Sequence, residues 1–335
     1  MKINEIRPQE HIFTEKLKTL ALIPKMLYFY GKLPVLGENS TKEGAQKGDL
    51  AQELTSSLLR KSSERGLERP RTVAIVGSRK NTAYGKEVAY RAAYEAAKAG
   101  AVVVSGLAYG IDSIAHRGAL DAGGITVAVL GTPITEIYPR EHERLAREII
   151  DRGGAVISEY SQSDLPAGKT EIRTRFLARN RIIAGLSDVV VIAEAAARSG
   201  SLNTAMHALD IGADLMAVPG DINRLNSEGC NRLLSQGAIP YTGPDALLGL
   251  LFPERLARKK SKKKDRESEI LKQVSLFAET EVEQKVLMAI MTGLNDGDEI
   301  IKKLELPATD FSQAITMLEI KGAIKALGAN RWMEV

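Results

Sequence analysis

The chain has 335 residues, 44% of them hydrophobic, which is enough apolar material for one large core and a second, small domain. A formal net charge of +4 leans only slightly toward an anionic partner, and the local distribution of charge has to decide that question. The single Cys230 excludes an intrachain disulfide, and four scattered histidines show no zinc spacing, so neither a metal nor a cofactor is expected. The charged N-terminus lacks the apolar segment of a signal peptide, and no apolar run reaches membrane-spanning length, so the expected location is the cytoplasm, away from membranes.

In chain order, residues 1–35 hold small apolar groups that cannot form a core alone and are expected to pack on the main domain. Residues 36–70 are polar and read as an insertion or linker. From Thr72 the pattern changes to strands alternating with helices. Val73–Val76, Val102–Val104, Thr126–Leu130, Ala155–Ser158, Val189–Ile192 and Leu215–Val218 read as strands. Helical patterns follow at about 83–99, 111–120, 141–151 and 202–212. The run Val189–Ile192 is apolar on both faces, as a central strand covered by helices requires. This order specifies an α/β fold with a doubly wound, mainly parallel sheet over residues 71–250, whose ligands bind beyond the carboxyl ends of the strands.

Residues 251–278 form a basic linker; within it, 254–268 carry eight cations against three acids. Apolar periodicity returns from Glu279 in three short helical patterns and closes on a hairpin around Gly328–Asn330, the order of a small winged-helix domain over 279–335. Its expected recognition helix, Thr309–Lys321, carries Asp310 and Glu319 against Lys321 alone, so residues 279–335 are expected to bind protein, or the chain's own main domain, rather than DNA.

A series of short motifs in the α/β domain is specific. It runs Gly77-Ser78-Arg79, Ser105-Gly106-Leu107-Ala108, Gly110-Ile111-Asp112, Leu130-Gly131, Tyr138-Pro139, Ser158-Glu159, Phe176, Arg179-Asn180-Arg181, Ser199-Gly200-Ser201 and Val218-Pro219-Gly220. In this ordered set the chain resembles the DNA-processing protein A (DprA/Smf) family, closely over about residues 71–240. The resemblance implies a Rossmann-like domain that binds single-stranded DNA, protects it during DNA uptake and hands it to the recombinase RecA in natural transformation. It also implies a homodimer. The sequence departs from the family pattern in lacking the preceding helical domain, at Pro133, Thr135 and His142, and in Leu177 after Phe176, with a longer stretch from Pro166 to Phe176.

The candidate interface has three parts. The turns Gly77-Ser78, Ser105-Gly106 and Ser199-Gly200-Ser201 lie at one sheet edge, where backbone N–H groups and a helix start attract phosphate. Arg79, Arg173 and Arg179 are cations for phosphate contact, while Asn180 and Arg181 serve either contact or bracing of the loop. Phe176, flanked by arginines, suits base stacking. Asp112 and His116 share a helix face, but no paired nucleophile follows, and Asp112 is placed to cap the helix.

The enzymatic alternative is a nucleotide-binding relative, because the turn Ser199–Thr204 looks like that of nucleoside-monophosphate phosphoribohydrolases. His207 stands where those enzymes place a glutamate. The sequence contains no GxxxxGK[ST] motif, and Gly77-Ser78-Arg79 lacks the glycines of a dinucleotide site.

Overall fold

The structure is a computed structural model that describes residues 2–35, 69–254, 274 and 276–335. Nearly all of the polar stretch 36–70 and most of the basic linker lie outside the described residues. The chain divides into two compact units, Met1–Pro253 and Glu254–Val335.

The first unit is built on a nine-stranded sheet. Its strands are β1 (Asn4–Ile6), β2 (Leu27–Gly31), β3 (Thr72–Val76), β4 (Val102–Ser105), β5 (Thr126–Leu130), β6 (Ala155–Ser158), β7 (Val189–Ile192), β8 (Asp214–Ala217) and β9 (Ile239–Pro240). The helices are α1 (Ala83–Lys98), α2 (Ile111–Asp121), α3 (Glu143–Asp151), α4 (Lys169–Gly185), α5 (Ser201–Asp210), α6 (Glu228–Ser235) and α7 (Pro244–Leu251). The strand order is β1-β2-β6-β5-β4-β3-β7-β8-β9. Every pairing from β6 to β9 is parallel, and the order reverses at β3, so the crossovers leave helices on both faces.

The core follows the period of two. Ala74, Val76, Val104, Val129, Val190 and Ile192 face α4, α5 and the N-terminal segment, with Phe13, Leu17 and Leu20 buried among them. Val73, Ile75, Val103, Val189 and Val191 face the opposite way, onto the alanine-rich inner side of α1 and onto α2 and α7.

Strands β1 and β2 were not foreseen in the sequence. The N-terminal segment does more than lie on the core: β2 pairs antiparallel with β6, Phe29 opposite Ile157, and extends the sheet. An ion cluster holds the same segment. Asp188 faces Lys16 at 3.1 Å and pairs with Arg69, while accepting the Thr72 N–H at 2.9 Å. Strand β9 adds a parallel edge strand beside β8, and helix α7 follows it past Tyr241, with Leu247 and Leu251 fully buried.

The second unit holds three helices, α8 (Glu281–Met291), α9 (Gly297–Leu304) and α10 (Ala308–Ile320), then the antiparallel pair β10 (Ile324–Gly328) and β11 (Arg331–Glu334). That is the element order of a winged helix. Val286, Leu287, Ile290, Ile300, Phe311, Ile315 and Leu318 make its separate core.

Candidate nucleic-acid interface

At the carboxyl edge of β3 and β7, beside the point where the strand order reverses, lies a cleft of about 720 Å³. The first turn, Gly77–Lys80, forms one side and the third turn, Ser199–Ser201, another. The face of α4 carrying Ile172, Arg173, Phe176, Arg179 and Asn180 closes the cleft.

The first turn is fixed from three directions. Ser78 donates its N–H to the Glu194 carbonyl at 2.8 Å. The buried Glu194 carboxylate accepts both the N–H (2.9 Å) and the hydroxyl (2.5 Å) of Thr82 and so ties down the start of α1. Gly110, at φ +76°, lies so close that a Cβ would fall 2.4 Å from the Ser78 carbonyl oxygen, which excludes every side chain there. Arg79 and Lys80 project from this fixed turn into solvent, and Arg173 is exposed on α4. Among the described residues none of these three cations pairs with a carboxylate, so their charges face an open cleft.

The third turn opens α5. Ser199 and Ser201 join their hydroxyls at 2.7 Å, and a Cβ on Gly200 would meet nothing within 4 Å. The ten-residue helix behind it turns its positive end toward that open space. Asn180 is nearly buried and donates to the Gly200 carbonyl (3.2 Å) and to Asn203 (3.3 Å), so it holds this turn in place.

The second turn corrects the sequence reading. Ser105 is fully buried and gives its hydroxyl to the Ile75 carbonyl at 2.7 Å. Gly106 donates its N–H to Asp112 at 3.1 Å and its carbonyl accepts from Arg179 at 2.7 Å. With its polar groups committed inside the protein, this turn does not line the cleft; two of the three expected turns do.

Arg179 is corrected as well, and for Arg181 the structure takes the bracing alternative. Arg179 is 3% exposed, and its guanidinium donates to the carbonyls of Gly106 and Val129 and to Asn180 Oδ1 at 3.3 Å. Burial pulls its pKa down to about 10, opposed by Asp112, so it stays charged at neutral pH. It forms part of the cleft wall, yet its hydrogen bonds go to two backbone carbonyls and a side chain of the protein itself. Arg181 grips Glu159 through two hydrogen bonds of 2.8 and 2.7 Å, donates to the Leu22 carbonyl at 2.9 Å, and stands away from the cleft. Both are braces.

Asp112 was expected to cap its helix. Its carboxylate instead binds the loop N–H of Gly106 ahead of α2 and faces Arg179, and burial raises its pKa. His116 Nδ1 lies 2.7 Å from Thr126 Oγ1, whose proton is given to the Val103 carbonyl at 2.7 Å. The ring must therefore donate from Nδ1, and burial pushes its pKa down to about 3, which fixes it as neutral. Cys230 is also buried, with its thiol raised to about 12. His207 lies outside the cleft lining, 3.9 Å from Asp210.

Phe176 is half-buried in the cleft. Arg79 stands 5.6 Å and Arg179 5.7 Å from its ring centroid, within cation–π range. Gly131 makes room for it, since a Cβ there would fall 2.8 Å from the ring. Lys80 and Asn226 line the cleft without having been singled out in the sequence, while Tyr138 and Leu177, noted there as part of a motif and as a departure from the family pattern, were not assigned to the interface. Lys80 follows Arg79 directly, and Asn226 donates to the Lys80 carbonyl at 2.8 Å.

The family model of DNA recombination-mediator protein A matches residues 55–251 of this chain. The chain belongs to that family. It is 43% identical to the protein Smf of Escherichia coli over 176 residues, which cover 52% of this chain and 46% of that one. The chain spans about half the length of the curated relatives it matches first. Among solved structures, DNA processing protein A of Streptococcus pneumoniae aligns with a TM-score of 0.57 at 32% identity, covering 74% of each chain. DNA processing protein A of Helicobacter pylori, described in a single-stranded-DNA binding mode, aligns with the same TM-score at 29% identity, covering 76% of this chain and 97% of that one.

Proposed function

We propose that the chain is a non-catalytic single-stranded-DNA-binding protein that protects incoming DNA and loads RecA onto it during natural transformation, acting in the cytoplasm as a homodimer. The observation that carries this reading is the cleft. Three exposed cations without carboxylate partners among the described residues, two Gly/Ser turns and an aromatic ring converge at a sheet edge where backbone and helix start favour phosphate. The single-stranded-DNA binding mode described for the H. pylori relative supports the same ligand. In this reading Gly77, Ser78, Arg79, Arg173, Ser199, Gly200 and Ser201 meet the strand's backbone, and bases stack at the aromatic end near Phe176. Arg179 and Asn180 hold that surface in place.

A competition gel shift tests the reading: single strands should displace labelled single strand far better than duplex, with little sequence preference and a steep salt dependence. Equal competition by duplex would sink it. Release of base from a nucleoside monophosphate by the purified protein would favour the phosphoribohydrolase alternative. Light scattering with and without oligonucleotide tests the dimer, which lets two sites grip one strand. Faster RecA assembly on single strands in the presence of the protein tests the loading step.

A further inference from the structure

Of the two rings at the cleft, Tyr138 is the accessible one. It is 47% exposed, and its centroid lies 5.4 Å from that of Phe176 at an interplanar angle of 52°. Phe176 is half-buried and already surrounded. Two guanidinium groups stand within 6 Å of its centroid, the Gly131 backbone passes against one edge, and Tyr138 covers another part. A ring whose neighbours are already in place offers a nucleobase little free face, whereas an outer ring at the same cleft offers most of one. The tilt between the rings also keeps Tyr138 from stacking flat on Phe176, so its faces are not spent on its neighbour.

We propose that Tyr138 is the base-stacking residue of this site, and that Phe176 is a positioning residue that fixes Tyr138 and Arg79 relative to each other. The proposal rests on the single-stranded-DNA reading above. It assigns the ligand contact of Tyr138 to an unpaired base of any sequence, because every base has a π-face. Arg79, 5.6 Å from the Phe176 centroid, then meets the backbone of the same stretch of strand.

The test uses the full chain and a fluorescein-labelled mixed-sequence oligonucleotide, with and without abasic sites, read by anisotropy. Tyr138→Ala should weaken binding to the normal strand about tenfold or more, and Tyr138→Phe should restore near wild-type affinity. On the abasic strand wild type and Tyr138→Ala should bind alike, since no base remains to stack. In Tyr138→Trp, saturating oligonucleotide should quench emission beyond the change seen from Trp332 in the unmodified chain. If wild type binds and Tyr138→Ala binds equally well, the assignment is wrong. An equal loss on both strands would make Tyr138 a structural residue and overturns it too. Failure of the wild-type chain to bind single strands removes the underlying reading together with this proposal, and is told apart by needing no variant.

Discussion

Arg79 and Arg179 flank the same phenyl ring at nearly the same distance, yet the fold gives them different work. Arg79 ends in solvent beside the ring and, among the described residues, makes no ion pair. Arg79→Ala should therefore leave the melting temperature unchanged, weaken single-strand binding whatever the sequence, and lower the salt slope by about one. Anisotropy titrations across a salt series read all of this. Arg179 is buried against Asp112 and two carbonyls, so Arg179→Met leaves a carboxylate without its counter-charge. It should cost about 3 kcal/mol or more of stability, seen in urea unfolding. The sequence already held the distinction. Phe176, Arg179, Asn180 and Ile183 recur at the i, i+3, i+4, i+7 spacing of a helix stripe that packs on the core. Reading arginines by charge alone overlooked that period. No spacing could show that the Ser105-Gly106 turn spends its polar groups on Asp112 and Arg179, since those partners come from two other elements.

At the scale of elements, the parallel sheet was legible because its strands are apolar on both faces and separated by helices of regular length. Strands β1 and β2 were not. Asn4–Ile6 has three residues, and Leu27–Gly31 reads LYFYG without alternation, so neither offers a period to detect. What places them is tertiary: pairing with β6 and the cluster at Asp188. Burial pushes the Asp188 carboxyl up, but Lys16, Arg69 and the Thr72 N–H outweigh it and hold its pKa below the usual range. A carboxylate depressed in the folded state adds stability above its unfolded value, near pH 4, and that stability is lost as pH falls through the folded value. Asp188→Asn should thus cost about 1.5–3 kcal/mol at neutral pH and flatten the acid limb of stability against pH, measured by urea unfolding between neutral and strongly acidic buffers. A parallel acid limb in the variant would show that other carboxylates govern it. The loop after β5 gives a second element-scale prediction. Gly131→Ala pushes a methyl group to 2.8 Å from the Phe176 ring, so the ring must shift, and single-strand affinity should fall with a smaller loss of melting temperature.

Over the whole molecule, charge is divided unevenly, and this bears on which unit meets DNA. Residues 279–335 hold ten acids against six cations, which leaves forty cations against thirty-two acids for the rest of the chain. On α10, Asp310 and Glu319 are exposed, and Glu319 accepts a hydrogen bond from the Trp332 indole at 3.0 Å. A helix that approaches phosphates needs cations on its open face, and this one presents acids, so affinity for single strands should reside in the first unit. The boundary for testing this lies after Pro253, because a chain cut at Tyr241 would lose Leu247, Leu251 and Phe252 from the core. A chain ending at Pro253 should keep most of the single-strand affinity at physiological salt. One ending at Ser268 adds the eight cations of 254–268 and should bind more tightly than the shorter chain at low salt, with the difference vanishing as salt screens it. Anisotropy titrations of both truncations and the full chain at two ionic strengths decide the matter. If removing residues 269–335 lowered affinity about tenfold at physiological salt, the acidic unit would have to contact DNA despite its charge, and the protein would be a two-site binder.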